Sequence, residues 1–486
     1  MLDNNKLKKV IVKKGNGYLI PKEHFKGMNV DGFIFADERI IDDILKDNAA
    51  RQVVNVANLP SIVFRSMAMP DIHWGYGFPI GGVAGFLYDG GIISPGGVGY
   101  DINCGVRLLK TSLMYKDVKF YLGDLINKIY KNVPSGVGSE GKIKVDVSEL
   151  NSVLKRGIKW AIDKGFAWEE DADFIEEEGS MEGVNTDFIS LRAKERGKKQ
   201  IGSLGAGNHF IEIQMVDGIY DQRAKSIFGL EEGQITVMIH TGSRGLGYQV
   251  CDDYVKMLNK KWQDKYTNLP DRELVYADIS SLEGKRYFSA MKGASNFAWV
   301  NRQLITHWIR ASFENVLGKK AYKLGMNIIY DIAHNIAKIE SHNINGKNLE
   351  LIVHRKGATR AFGPNREEIP KKYRTLGQPV IIPGDMGTAS YLLVGTETAM
   401  NESLGSTCHG AGRVLSRHAA IKHAKDRDIK EELAKEGIYV RAKSKRTLKE
   451  EMPEAYKDID IVVDIAHKAG ISKKIARLIP LGVVKG

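Results

Sequence analysis

Residues 69–113 read MPDIHWGYGFPIGGVAGFLYDGGIISPGGVGYDINCGVRLLKTSL, and the reading of this stretch decides the fold class. Glycine alternates here with β-branched and aromatic residues. That pattern predicts short strands joined by tight turns, with backbone passing close to other groups. The same texture returns at 201–245 and 325–410. Between these stretches the apolar spacing turns helical, at about 117–200 and 248–325. Strand-rich blocks separated by helical blocks, without a regular βαβ repeat, predict an α+β fold. No internal repeat or Pro/Ser linker divides the chain, so one large domain of mixed and antiparallel sheets over 1–486 is expected. The 117–200 block, with EEDADFIEEEGSMEG at 169–183, reads as an exposed helical excursion. The 248–325 block, with Trp262, Tyr287, Phe297, Trp299 and Trp308, reads as a helical arm. Residues 1–60 predict a small α/β start with a turn at Pro21 and a helix over 37–50, and 411–437 predict another helix. GGVGYDINCG resembles a dinucleotide fingerprint only superficially, because no helix is expected after it.

The 486 residues include 71 Lys or Arg and 59 Asp or Glu, a net charge of +12. With 43% apolar and 27% charged residues the composition excludes global disorder. No apolar run approaches the ~18–20 residues that cross a bilayer. The charged start MLDNNKLKKVIVKKGNG has no apolar segment of a secretory signal, so a cytoplasmic protein without membrane partners is expected. Three cysteines, Cys104, Cys251 and Cys408, are too few for a disulfide framework and suit a reducing compartment. The positive balance suits nucleic acid or nucleotide, although solvated lysines alone would produce the same number.

His, Cys and Asp concentrate in five short contexts: YDINCGVR at 100–107, GAGNHFIE at 205–212, IHTGSRGLG at 239–247, DIAHN at 331–335 and CHGAGR at 408–413. Asp101 and Cys104 can reach one ion together from a turn. His209, His240 and His334, at or near strand ends, bring the candidate ligands to five. One ion usually takes three or four protein ligands, so a binuclear site sharing the Cys104 thiolate is expected, at the centre of the fold. The S, N and O mixture fits Zn, Fe, Co or Mn, and softness alone does not choose Mn. In CHGAGRVLSRHAAIKHAK, Gly410 and Gly412 let the backbone approach a ligand, and a following helix would aim its N-terminus at it. Arg413 and Arg417 would share one face of that helix. His409 suits phosphoryl capture through a P–N bond, with Cys408 as the competing nucleophile. Arg196, Arg244 and Lys356 are further anion candidates.

Taken together, Asp101-Ile-Asn-Cys104-Gly, Gly-Ala-Gly-Asn208-His209-Phe, His240-Thr-Gly-Ser-Arg244-Gly, Asp-Ile-Ala-His334-Asn335, Pro383-Gly-Asp-Met386 and Cys408-His409-Gly-Ala-Gly-Arg413 resemble the RtcB family of RNA ligases, nearly from end to end. The resemblance implies a GTP- and Mn(II)-dependent ligase joining RNA 3′-phosphate or 2′,3′-cyclic phosphate ends to 5′-hydroxyl ends, in tRNA splicing or RNA repair. It implies two Mn(II) ions on Asp101, Cys104, His209, His240 and His334, with Cys104 bridging. It makes His409 the nucleophile towards GTP. Phosphate and ribose contacts are implied for Asn208, Gly410, Ala411, Gly412, Pro383, Gly384, Asp385, Met386 and Ser390. Phe210 and Asn335 are also implied to touch GTP, and Glu212, Tyr456 and Lys485 to form the guanine pocket. Arg196, Arg244, Lys356, Arg413 and Arg417 would meet RNA phosphates. Asp71 and His73 would line the same cleft, or serve the fold. An archaease-type activator and a monomeric state are further expectations. Two other readings compete: a binuclear phosphodiesterase acting on RNA ends, and a non-catalytic RNA-binding protein with a structural metal.

Overall fold

The computed structural model describes residues 4–262, 266 and 269–486. Residues 1–3 of the charged start, and 263–265 and 267–268 of the expected 248–325 block, lie outside the described residues.

The glycine-rich opening stretch folds as antiparallel strands Ile62–His73 and Ile80–Leu87, followed by Gly105–Met114. A strand, not a helix, follows GGVGYDINCG, which removes the dinucleotide reading. Among the described residues two large sheets dominate. The first has seven strands in the order Val12–Lys14, Gly17–Ile20, Asp31–Ile34, Ile62–His73, Ile80–Leu87, Lys347–Lys356 and Asn335–Ile344. The second has eight, running from Asn327–Ala333 through Gly105–Met114, Gln234–Thr241, Phe210–Ile219, Ser472–Lys485 and Ser390–Gly395 to Pro379–Ile382. Its eighth strand, Tyr439–Ala442, pairs in parallel with Ser472–Lys485. Most pairings are antiparallel, as an α+β fold requires. The sheets are joined directly at His334. Asn327–Ala333 ends the second sheet's edge, and after His334 the chain continues directly as Asn335–Ile344 of the first. Among the described residues no helix is long and apolar enough to cross a membrane.

Both helical blocks depart from expectation. Residues 117–200 are not an exposed excursion. Leu122, Leu125, Ile126 and Ile129 pack against Val237, Ile309 and Phe313, and Leu150, Val153, Leu154 and Trp160 join Phe297 and Trp299. The acids of the 169–183 run include internal counter-ions. Asp171 accepts two hydrogen bonds from Arg310, both at 2.7 Å, and Glu176 accepts from Lys338 and from the Ala333 amide, each at 2.7 Å. A charge run reads as solvated when its partners lie far away in sequence. Nor is the second block an arm: Leu282–Leu317, 36 residues long, runs through the core, with Tyr287, Phe297 and Trp299 fully buried. The helix expected over 37–50 breaks at extended Asp47 into Ile41–Lys46 and Ala49–Val56. The 411–437 helix is two short ones, Arg417–His423 and Ile429–Lys435. Residues 411–416 stay out of helix because Gly412 has φ +76° and Ser416 caps the Ala419 amide.

One buried ionic node ties the sheet to this central helix. Asp331 accepts from Arg107 Nε at 2.7 Å and from Arg302 Nε and Nη2 at 2.8 Å. All three residues are fully buried. Arg302 also donates to the Asn103 and Thr241 carbonyls, at 2.9 and 2.8 Å. Asp331→Ala would leave two uncompensated guanidiniums in the interior. A loss of about 3–5 kcal/mol in urea unfolding is expected; an unchanged midpoint would contradict the node's role.

Candidate active site

Strand pairing explains why distant motifs converge. Gly105 pairs with Thr241 and with Ala333, while Val106 and Phe210 both pair with His240. The turn carrying Asp101 and Cys104, the loop carrying His209, and the ends carrying His240 and His334 therefore share one rim of the second sheet. Asn103 takes positive φ (51°) in that turn, and its side chain accepts from Arg302 Nη2 at 2.9 Å. A Cβ at Gly242 would stand 2.5 Å from Asp101 Oδ1, so a larger residue there would displace that carboxylate.

Donor atoms of Asp101, Cys104 and His209 lie within 4.8 Å of one another. Asp101 Oδ2 is 3.0 Å from His209 Nε2. Cys104 Sγ stands 3.6 Å from His209 Nε2 and 3.4 Å from His240 Nε2, so the thiol is their common neighbour. The imidazoles of His209, His240, His334 and His409 follow one another at centroid separations of 5.7, 5.6 and 5.3 Å. Both ring nitrogens of His334 and Nδ1 of His240 are buried without a hydrogen-bond partner among the described residues. Burial, then neighbouring imidazoles, holds the pKa values of His240 and His334 well below the usual histidine range. A carboxylate, a thiol and three imidazoles, with orphaned nitrogens among them, fit a borderline divalent metal.

His409 ends this row. Its Nδ1 lies 2.5 Å from Asp71 Oδ2, which also accepts from the His409 and Gly410 amides at 2.9 and 3.2 Å. Asp71 is completely buried. Burial would raise its pKa, but His409 and Lys457 outweigh that and hold it below the usual range. Lys457 donates to the Pro70 carbonyl at 3.1 Å and to that of Ile72 at 2.5 Å, clamping the Asp71 backbone from both sides. Gly412 (φ +76°) packs onto the Asp71 carbonyl, which a Cβ would meet at 2.2 Å. His73 shares the wall, neutral, with a pKa lowered to about 3 by burial. Cys408 faces the core instead, so of the two adjacent candidate nucleophiles only His409 faces the pocket.

One pocket collects most of the expected groups. Asn208, Phe210 and Asn335 line it, as do Pro383 to Met386, His409 to Arg413, Arg417, Tyr456 and Lys485, together with Cys104, His240 and His334. Asp385 folds its own loop, accepting from the Gly387 and Thr388 amides at 2.9 and 3.1 Å. Lys485 stands 5.4 Å from the Phe210 ring centroid. Ser390 and Glu212 lie one layer behind this wall. Ser390 Oγ accepts from the Gly384 amide at 3.1 Å, and Gln214 Nε2 donates to both Ser390 Oγ and Glu212 Oε2. Glu212 Oε1 is buried without a hydrogen-bond partner among the described residues.

Glu451, which sequence reading missed, lines the pocket and accepts from Arg413 Nη1 at 3.1 Å. Arg413 also donates to Tyr456 Oη at 3.1 Å, and Arg417 Nε stands 3.6 Å from Glu451. The local segment KEEMPEAYK looks like an ordinary charged surface, and only the fold brings Glu451 here. Arg413 precedes the Arg417–His423 helix, so the two arginines do not share a helical face; they converge on Glu451. Lys356 is not a surface phosphate contact. It is buried, with a pKa lowered to about 8, and it donates to the Gly96 carbonyl at 3.0 Å and to that of Tyr76. Arg244 is half-buried against Ser203 Oγ at 3.3 Å, and Arg196 is bonded to Gln249 at 3.1 Å.

A family model described as tRNA-splicing ligase RtcB matches residues 52–486. The chain is 51% identical over 478 residues to the tRNA-splicing ligase RtcB of Archaeoglobus fulgidus, covering 98% of this chain and 99% of that protein. It is 52% identical to the protein of that name from Thermococcus kodakarensis, over 95% of this chain and 96% of that one. For the one from Methanococcus maripaludis the figures are 53%, 96% and 98%.

Burial pushes Glu212 up to about 8, against the lowering effect of Gln214. The folded state therefore prefers the protonated acid. Its stabilising contribution is present below pH 4.5 and is lost as pH rises through about 8. Glu212→Gln removes this dependence. The melting temperature of the unsubstituted protein should fall relative to the variant across that window, and parallel curves would refute the assignment.

Proposed function

The chain belongs to the RtcB family, and from that premise we propose that it is an RNA ligase of tRNA splicing that works through a guanylylated His409. Its substrates are RNA with a 3′-phosphate or 2′,3′-cyclic phosphate and RNA with a 5′-hydroxyl. Broken RNA carries the same ends, so repair falls within the same chemistry. GTP is the cosubstrate. The observation that supports this most is the Asp71–His409 pair at the end of the imidazole row. With Nδ1–H donated to a buried carboxylate, the Nε2 lone pair is left for attack.

In the first step Nε2 attacks the α-phosphorus of GTP. The P–N bond forms as the α–β bridging P–O bond breaks, and pyrophosphate leaves. An oxygen of the RNA 3′-phosphate then attacks that phosphorus, the P–N bond breaks, and RNA(3′)pp(5′)G results. Finally the 5′-hydroxyl oxygen attacks the RNA 3′-phosphorus, its proton passes to solvent, and GMP leaves. Water first opens a cyclic phosphate. Asp101, Cys104, His209, His240 and His334 would hold two Mn(II) ions, which would neutralise phosphate charge and favour in-line alignment of attacking and leaving atoms. Guanine presents N1–H and N2–H₂ donors that adenine lacks as a pair. Glu451 in the pocket wall, with Tyr456 and Lys485 beside it, would accept from such a base, and Glu212, one layer behind with an oxygen unpartnered among the described residues, would join it on ionising. Arg196, Arg244, Arg413 and Arg417 meet backbone phosphates without reading sequence.

Incubation with [α-³²P]GTP and Mn(II) should yield an acid-labile protein label that disappears in His409→Ala, while that variant keeps its bound metal. A label that persists in the variant would overturn the role of His409. No label on the unsubstituted, metal-loaded protein would favour a binuclear phosphodiesterase instead. Cys104→Ala removes the shared donor and should lose both ions by elemental analysis; full metal content in that variant would refute sharing.

A further inference from the structure

Outside the pocket, three tyrosines from separate parts of the chain form a surface ladder. Tyr76 and Tyr100 meet edge to face with centroids 5.8 Å apart. Tyr100 and Tyr248 overlap at 4.9 Å with planes tilted by 31°. The Arg196 guanidinium lies 5.2 Å from the Tyr248 ring centroid and ends the row. Tyr76 is 62% and Tyr248 47% exposed, and neighbouring Trp74 is 51% exposed. A cluster of large rings kept in water marks a binding surface.

The ladder is carried by the same chain segments as the site. Tyr76 follows His73 by three residues, Tyr100 immediately precedes Asp101, and Tyr248 sits one helical turn beyond Arg244. The acids near Tyr100 are Glu273 and Asp252, and Asp252 is paired with Lys256 at 2.7 Å. The cation seated against the rings is Arg196, over the Tyr248 face. Every nucleobase has a π face, so aromatic rings beside arginines hold single strands without selecting sequence.

We propose that Tyr76, Tyr100 and Tyr248, ended by Arg196, are a track on which the bases of one RNA strand stack as it leaves the pocket. The inference rests on the ligase reading, because a ligase of RNA ends must grip the nucleotides behind the reacting terminus whatever their identity. The arginines meet phosphates, and the ladder supplies the matching grip on bases.

Binding of short single-stranded RNAs, one with a 5′-hydroxyl and one with a 3′-phosphate terminus, tests this in the full-length protein. 2-Aminopurine next to the reacting end reports stacking by its quenching. Tyr76→Ala and Tyr248→Ala should each weaken at least one of these RNAs roughly tenfold and relieve the quenching. Tyr76→Phe and Tyr248→Phe should stay within about twofold of the unsubstituted protein, because stacking needs the ring and not the hydroxyl. Abasic sites beside the terminus should cost the unsubstituted protein a similar factor and cost the alanine variants little. If the unsubstituted protein joins RNA ends while both alanine variants bind as tightly as it does, the track is wrong and the ligase stands. Phenylalanine variants as weak as the alanine ones would also overturn it. Unsubstituted protein that neither binds nor joins RNA ends overturns the ligase reading, and the track with it.

Discussion

The carboxylate of Asp331 lies between two guanidiniums in a part of the protein that solvent does not reach. Two cations and one anion in the interior hold together only with near-complete hydrogen bonding, and the loss of one member is severe. That demand fixes five pieces of chain at once. Asp331 belongs to the strand Asn327–Ala333, Arg107 to Gly105–Met114 and Arg302 to the central helix. Through its other N–H groups Arg302 grips Asn103, inside the Asp101–Cys104 turn, and Thr241, next to His240. The candidate metal donors stand around the same node. A constellation that must be held to a fraction of an ångström is supported from behind by groups that cannot move without exposing a bare charge.

A second constraint acts from the opposite wall. The buried carboxylate of Asp71 orients His409 through its ring and its backbone, and Lys457 fixes the Asp71 backbone in turn. Glu451 gathers Arg413 and Arg417 on the same side of the pocket. The two walls thus differ in character. One offers imidazoles, a thiol and the Asp101 carboxylate, where a cation is welcome. The other offers guanidiniums and an ammonium, where phosphate is. A nucleoside triphosphate with divalent metal would match that division.

The sequence was legible where chemistry and backbone geometry coincide. Cys104, His209, His240 and His334 stand at or near strand ends and Asp101 in the turn before one, most of them in glycine-rich contexts, so their type and spacing advertised a shared rim. His409 was legible for the same reason. Partners supplied by the fold from far away were not. Asp171 and Glu176 looked solvated because Arg310 and Lys338 lie more than a hundred residues on. Lys356 looked like a phosphate contact because nothing local reveals that backbone carbonyls enclose it. The Leu282–Leu317 helix looked like an arm because its polar residues, Asn296, Asn301, Arg302 and Gln303, are satisfied internally. Glu451 and the tyrosine ladder had no sequence signal, since each is assembled only by tertiary contacts.

The most direct test of the central claim is the position of the covalent guanylate. The protein is incubated with GTP and Mn(II), digested under mildly alkaline conditions, and its peptides are mapped by mass spectrometry. The account predicts one GMP adduct, on the peptide carrying His409, which disappears after acid treatment. An acid-stable adduct on the peptide carrying Lys485, or a single adduct on any residue other than His409, would contradict it.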